Sequence, residues 1–203
     1  VIHEITAKSL YESGEIYKGY NVAVDFPHKD VPIDPYLLGF WLACSVRYDI
    51  LSTMAVHMVD VLQPILNRYN IKILEPSGSS YNYRLVSKCK DDKFYQYIVE
   101  SGLLNKKFVP SLYKINSMEV RLNLVAGFID AIGHNSFDLF DIYKIIEEEL
   151  RNDIIFVARS VGCVVDNTPS IYSNINRLTI VGRNIPVKVV PELLHIDESM
   201  FEK

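Results

Sequence analysis

The chain has 203 residues, 49% of them hydrophobic and 23% charged, enough for one large domain or for two small halves around a shared core. No apolar run reaches the roughly 18 to 20 residues that cross a bilayer, so a membrane partner is not expected. The net charge of −4 means that any nucleic-acid contact has to come from a local basic face rather than from the overall balance.

Residues 1–30 read as an N-terminal extension, with a strand expected at Tyr20–Phe26. A proline-rich stretch follows, ending in Pro32-Ile33-Asp34-Pro35. Asp34 suits a helix cap, and Pro35 suits the first turn, where a missing N–H costs nothing. The helix they start, Tyr36-Leu37-Leu38-Gly39-Phe40-Trp41-Leu42-Ala43-Cys44, is apolar on every side and is therefore expected to be buried, with Phe40 and Trp41 in the core. Beyond it, patterning predicts a strand at Ile50–Ala55, an amphipathic helix over Val56–Tyr69, strands at Ile71–Glu75 and Tyr81–Ser87, and a helix over Asp92–Gly102. A second buried helix starts near Asn116 or Ser117 and runs through Arg121-Leu122-Asn123-Leu124-Val125-Ala126-Gly127-Phe128-Ile129-Asp130-Ala131-Ile132. After it come a strand at Phe137–Tyr143, a helix over Ile145–Val161, and strands at Cys163–Asp166 and Asn176–Gly182.

The two buried helices share a pattern: Gly39 with Ala43, and Gly127 with Ala131, the glycines 88 positions apart. Residues four apart lie on one helix face, so each helix offers a small-residue patch where another backbone can come close. The matching order of elements after each helix makes an α+β chain of two halves with antiparallel sheets, not a doubly wound parallel sheet. Other chemistries have no support. Cys44, Cys89 and Cys163 form no Cys-x-x-Cys pair, and the five histidines have no zinc spacing. There is no glycine-rich phosphate loop and no nucleophile elbow.

Leu37-Leu38-Gly39-Phe40-Trp41-Leu42, preceded by Val31-Pro32-Ile33-Asp34-Pro35-Tyr36, resembles the first motif of intein-type LAGLIDADG (dodecapeptide) homing endonucleases. Val125-Ala126-Gly127-Phe128-Ile129-Asp130-Ala131-Ile132-Gly133-His134 resembles the second. The flanks resemble theirs as well, at Phe108-Val109-Pro110, Tyr113-Lys114-Ile115-Asn116-Ser117 and Phe156-Val157-Ala158-Arg159-Ser160-Val161-Gly162, and the likeness spans roughly residues 18 to 190. The resemblance implies a pseudo-twofold fold of two αββαββ(α) halves, residues 31–115 and 116–190, with a C-terminal extension at 191–203. The two motif helices would pack together through Gly39, Ala43, Gly127 and Ala131, and two saddle-shaped sheets would lie in a DNA major groove.

In active members each motif helix ends in an acidic residue, and the pair holds Mg²⁺ that activates water for phosphodiester hydrolysis. Here those two catalytic positions are occupied by Cys44 and Ile132. A thiol is a poor Mg²⁺ ligand and isoleucine is none, so no metal cofactor and no double-strand cleavage are expected. Asp130 lies two residues before Ile132, about 200° round the helix, and so points elsewhere; Asp49 lies beyond the end of the first helix. Lys88 is nearest in position to a lysine that assists catalysis in the family, a role that would be vestigial without metal ligands.

Candidate DNA contacts are Arg84, Lys88 and Lys90 in the first half and Arg177 and Arg183 in the second. Strand alternation puts Arg84 and Lys88 on one face, although the same residues also fit a solvated edge. Lys72, Lys106 and Lys107 read as solubilising surface charges, and Glu147-Glu148-Glu149 as a solvated helix face. The expected partners are double-stranded DNA, bound weakly if at all, and the splicing domain of a parent intein. A monomer inside the cell, located with its host protein, is expected. With Val1 at one end and Phe201-Glu202-Lys203 at the other, the chain itself is not expected to splice. The alternatives left open are a non-catalytic DNA-binding module and a structural insertion with no DNA function.

Overall fold

The computed structural model describes residues 5–14, 22–55, 57–76, 81–87, 92–136, 139–142, 147–168, 177–182 and 184–189. At its centre two helices lie against each other: α2, Pro35–Cys44, and α6, Met118–Ile132. Asp34 caps α2 as the sequence predicts, its carboxylate accepting from the backbone N–H of Tyr36 at 3.0 Å and of Leu37 at 3.2 Å. All of α2 from Tyr36 to Leu42 is buried, and α6 is buried from Leu124 to Ala131.

Backbone approach explains both glycines. A Cβ built on Gly39 would lie 2.0 Å from the carbonyl oxygen of Leu124, and one on Gly127 would lie 2.0 Å from that of Tyr36. Leu124 and Tyr36 each precede the other helix's glycine by three residues, so the two contacts are images of one another about an axis between the helices.

Each helix runs straight into a hairpin of its own half. After α2 come β1 (Ser45–Arg47) and β2 (Ile50–Ser52), then α3 (Met58–Asn67), β3 (Ile71–Leu74) and β4 (Asn82–Ser87). After α6 come β5 (His134–Ser136) and β6 (Leu139–Ile142), then α7 (Glu148–Ser160), β7 (Val164–Thr168) and β8 (Arg177–Val181). Both sheets are antiparallel and have the same strand order, β1-β2-β4-β3 and β5-β6-β8-β7. The core lies between the inner sheet faces and the helices: Leu51, Ile71, Ile73 and Leu85 from one sheet, Phe140, Ile142, Leu178 and Ile180 from the other. The outer helices close it with Leu62 and Leu66 of α3 and with Ile154 and Val157 of α7. This is the two-half α+β architecture expected from the repeat.

Several elements differ from the sequence reading. The first hairpin strands, β1 and β5, have three residues each, too few to display an alternation in the sequence. Residues 22–26 of the strand expected at Tyr20–Phe26 are not a strand; the rest of that stretch lies outside the described residues. They form a strap held at Val24 instead: Val24 N–H donates to Ser160 O at 2.9 Å, and the guanidinium of Arg121 donates to Val24 O. Short helices at Ala7–Ser13 (α1) and Ser111–Lys114 (α5) were not expected, whereas the helix predicted over Asp92–Gly102 is present as α4, Lys93–Glu100, with Asp92 as its cap.

Candidate functional site

The C-terminal tips of α2 and α6 meet at one recess of about 310 Å³, into which Cys44 and Ile132 both face, together with Trp41, Arg47, Leu104 and Lys107. The tertiary structure therefore brings together the two positions singled out by the motif alignment. Cys44 is buried, and its Sγ donates to Phe40 O at 3.3 Å within its own helix. Ile132 packs against the core. Ala131 is buried and Ala43 half-buried, one helical turn beyond each glycine.

Lys107, read from sequence as a surface charge, is corrected by the structure. It is half-buried, and its ammonium donates to Ser45 O at 2.6 Å and to Leu42 O at 3.0 Å, lying 5.7 Å from the Trp41 ring centroid. The end of a helix leaves carbonyls without partners and carries partial negative charge, and an ammonium is suited to both. Sequence spacing could not reveal this, since Lys107 comes from the loop before α5, over 60 residues from the helix it caps. Lys88, the lysine expected near the tip, lies outside the described residues.

Glu147, the residue before α7, also lines the recess, whereas the two aspartates nearest the tips in sequence are engaged elsewhere. Asp49, in the β1–β2 turn, is buried and pairs with Arg47 at 3.2 Å and with Arg84 at 3.5 Å. Asp130 is fully buried and turned away, accepting from the Tyr36 hydroxyl at 2.7 Å and from the Lys188 backbone N–H. Burial holds its carboxyl above the usual carboxylate range, and one of its oxygens has no hydrogen-bond partner. Among the described residues no three His, Cys, Asp or Glu side chains gather in a way that would hold a metal ion. A divalent metal of the Mg²⁺ type needs hard oxygen ligands, and a thiol bonded to its own helix beside an isoleucine does not fit it.

The outer sheet faces carry the other candidates. In the first sheet one cross-strand row runs Arg47, Ile50, Arg84, Leu74, and Lys72 stands beside it opposite Val86. Arg47, Arg84 and Lys72 are exposed, with Ile71, Ile73 and Leu85 facing the core. In the second sheet the corresponding row runs His134, Asp141, Thr179, Asp166, with Arg177 in the next position of β8. Arg177 donates bidentately to Asp141, from Nε at 3.0 Å and from a terminal nitrogen at 2.6 Å, and Thr179 donates to the same carboxylate at 2.6 Å. Lys90 and Arg183 lie outside the described residues.

No family model and no curated relative matches the chain. Among solved structures it is similar to one of mesophilic variants from the homing endonuclease I-DmoI, with 15% identity, a TM-score of 0.52, and 73% of this chain and 88% of that one covered. A structure of I-DmoI in complex with DNA and Ca gives 14% identity and a TM-score of 0.52 over 74% of this chain and 83% of that one. I-DmoI in complex with DNA and Mn gives 14% and 0.50, over 73% and 89%.

Proposed function

We propose, from a chain that has the LAGLIDADG homing-endonuclease fold, that it is a DNA-recognition domain whose metal-dependent cleavage has been lost. The observation that carries the reading is the meeting of the motif-helix tips, where Cys44 and Ile132 share a recess with the Lys107 ammonium, and where the one acidic residue of the lining, Glu147, comes from the start of α7 and not from either motif helix. Binding needs only the two sheets held in a fixed relation by the helix pair, and that part of the architecture does not depend on carboxylates at the tips. Hydrolysis needs hard oxygen ligands at the point where the strands are cut. The intein-like flanks around Phe108-Val109-Pro110 and Phe156-Val157-Ala158 support a parent chain with a splicing domain.

The test is to select binding duplexes from a random pool and then to incubate the selected duplex with the protein and 10 mM Mg²⁺ or Mn²⁺. Retained binding without nicks or double-strand breaks is the expected result, and metal-dependent cutting overturns it. If no duplex is enriched, the domain is a structural insertion, a reading favoured by the ion pairing that engages Arg177.

A further inference from the structure

The outer faces of the two sheets, alike in strand order, differ in the sign of their charge. Among the described residues of the first sheet's strands and hairpin turn, Arg47, Arg84 and Lys72 stand against one carboxylate, Asp49, which is buried beneath the two arginines. Both arginine side chains remain about two-thirds exposed, at 62% and 66%, while Asp49 is 6% exposed. Arg47 meets Asp49 through one terminal nitrogen and Arg84 through Nε, so each guanidinium keeps other N–H groups on the exposed side. On the second, the only described strand cation, Arg177, stands against two carboxylates, Asp141 and Asp166, and Asp141 holds it bidentately.

A duplex carries one negative charge for roughly every 1.7 Å of its axis, so a face that presents carboxylates is opposed wherever it comes near the backbone. Like charges brought together across an interface cost affinity, and a cation already held by a carboxylate must lose that partner before it meets a phosphate. We propose that the two sheets engage DNA unequally: the first-half sheet makes the phosphate contacts, through Arg47, Arg84 and Lys72, and the second-half sheet makes few or none. The proposal rests on the DNA-recognition reading above and narrows the ligand to about half of the duplex that a symmetric saddle would cover.

The experiment is fluorescence anisotropy with a labelled 30-bp duplex of random sequence, titrated with salt, using the whole chain. Lys72→Gln and Arg84→Gln are each expected to make the slope of log K against log salt shallower by about one and to weaken binding several-fold. Arg177→Gln is expected to change Kd less than twofold, and Asp166→Asn to tighten binding. Because Arg84 also faces the buried Asp49, thermal melts accompany each variant, and Lys72, which has no such duty, keeps the test valid if Arg84→Gln unfolds. Equal losses for Arg177→Gln and Lys72→Gln overturn the unequal engagement while leaving DNA recognition intact. No salt-dependent binding by the parent chain overturns both.

Discussion

A methyl group added at Gly39 would sit 2.0 Å from the Leu124 carbonyl oxygen and 3.1 Å from Phe128 N, and backbone on both sides leaves it nowhere to go. Gly39→Ala or Gly127→Ala is thus expected to cost about 3 kcal/mol or more, read as a lowered urea midpoint, because the helices must separate to admit it. Lys107 is expected to contribute through its two carbonyl contacts: Lys107→Met should lose about 2 kcal/mol, typical of hydrogen bonds to a charged group, with the loss measured by the same unfolding curves. Asp130 gives a pH signature. Burial raises its pKa in the folded state, so folding favours the protonated acid, and its contribution is whole below the ordinary carboxylate pKa and is lost as pH rises through the folded value. The stability of Asp130→Asn relative to the parent should therefore rise as pH increases above about 4, and a difference that stays flat with pH would remove this account.

At the scale of elements, one buried arginine joins three of them. Arg121 of α6 donates from Nε to Asn116 O at 2.8 Å, from one terminal nitrogen to Ser160 O and Oγ at the end of α7, and from the other to Val24 of the strap, with its guanidinium 4.8 Å from the Phe26 ring centroid. Removing a charged group so bonded leaves several buried acceptors unpaired, so Arg121→Met should destabilise by about 2–4 kcal/mol. Hydrogen exchange should locate the effect, with the Val24 amide losing its protection first. Within Tyr20–Phe26, the strap at residues 22–26 is hydrogen-bonded through Val24, but to the end of a helix rather than to a sheet. Conversely, β1 and β5 pair as strands because α2 and α6 end beside β2 and β6, and no signal in three residues announces that.

For the whole molecule, the paired repeat places two sheets of identical order on either side of one helix pair, an arrangement held by the glycine contacts and not by the residues at the helix tips. If the tips hold no metal, the melting temperature should be the same in EDTA and in Mg²⁺, since a ligand bound only by the folded state would raise it. A Mg²⁺-dependent rise would contradict the proposed loss of metal chemistry.

The sequence by itself determined the two buried helices, the cap at Asp34 and the glycine notches, because these depend on local periodicity and on residue type. Only the tertiary structure decided where the charges go. Lys107 reached a helix end over 60 positions away, Arg177 met Asp141 across β6 and β8, and Asp49 came to lie under Arg47 and Arg84. Each of these depends on which strands and loops become neighbours, and long charged side chains carry no periodic signal that says which neighbour they will find.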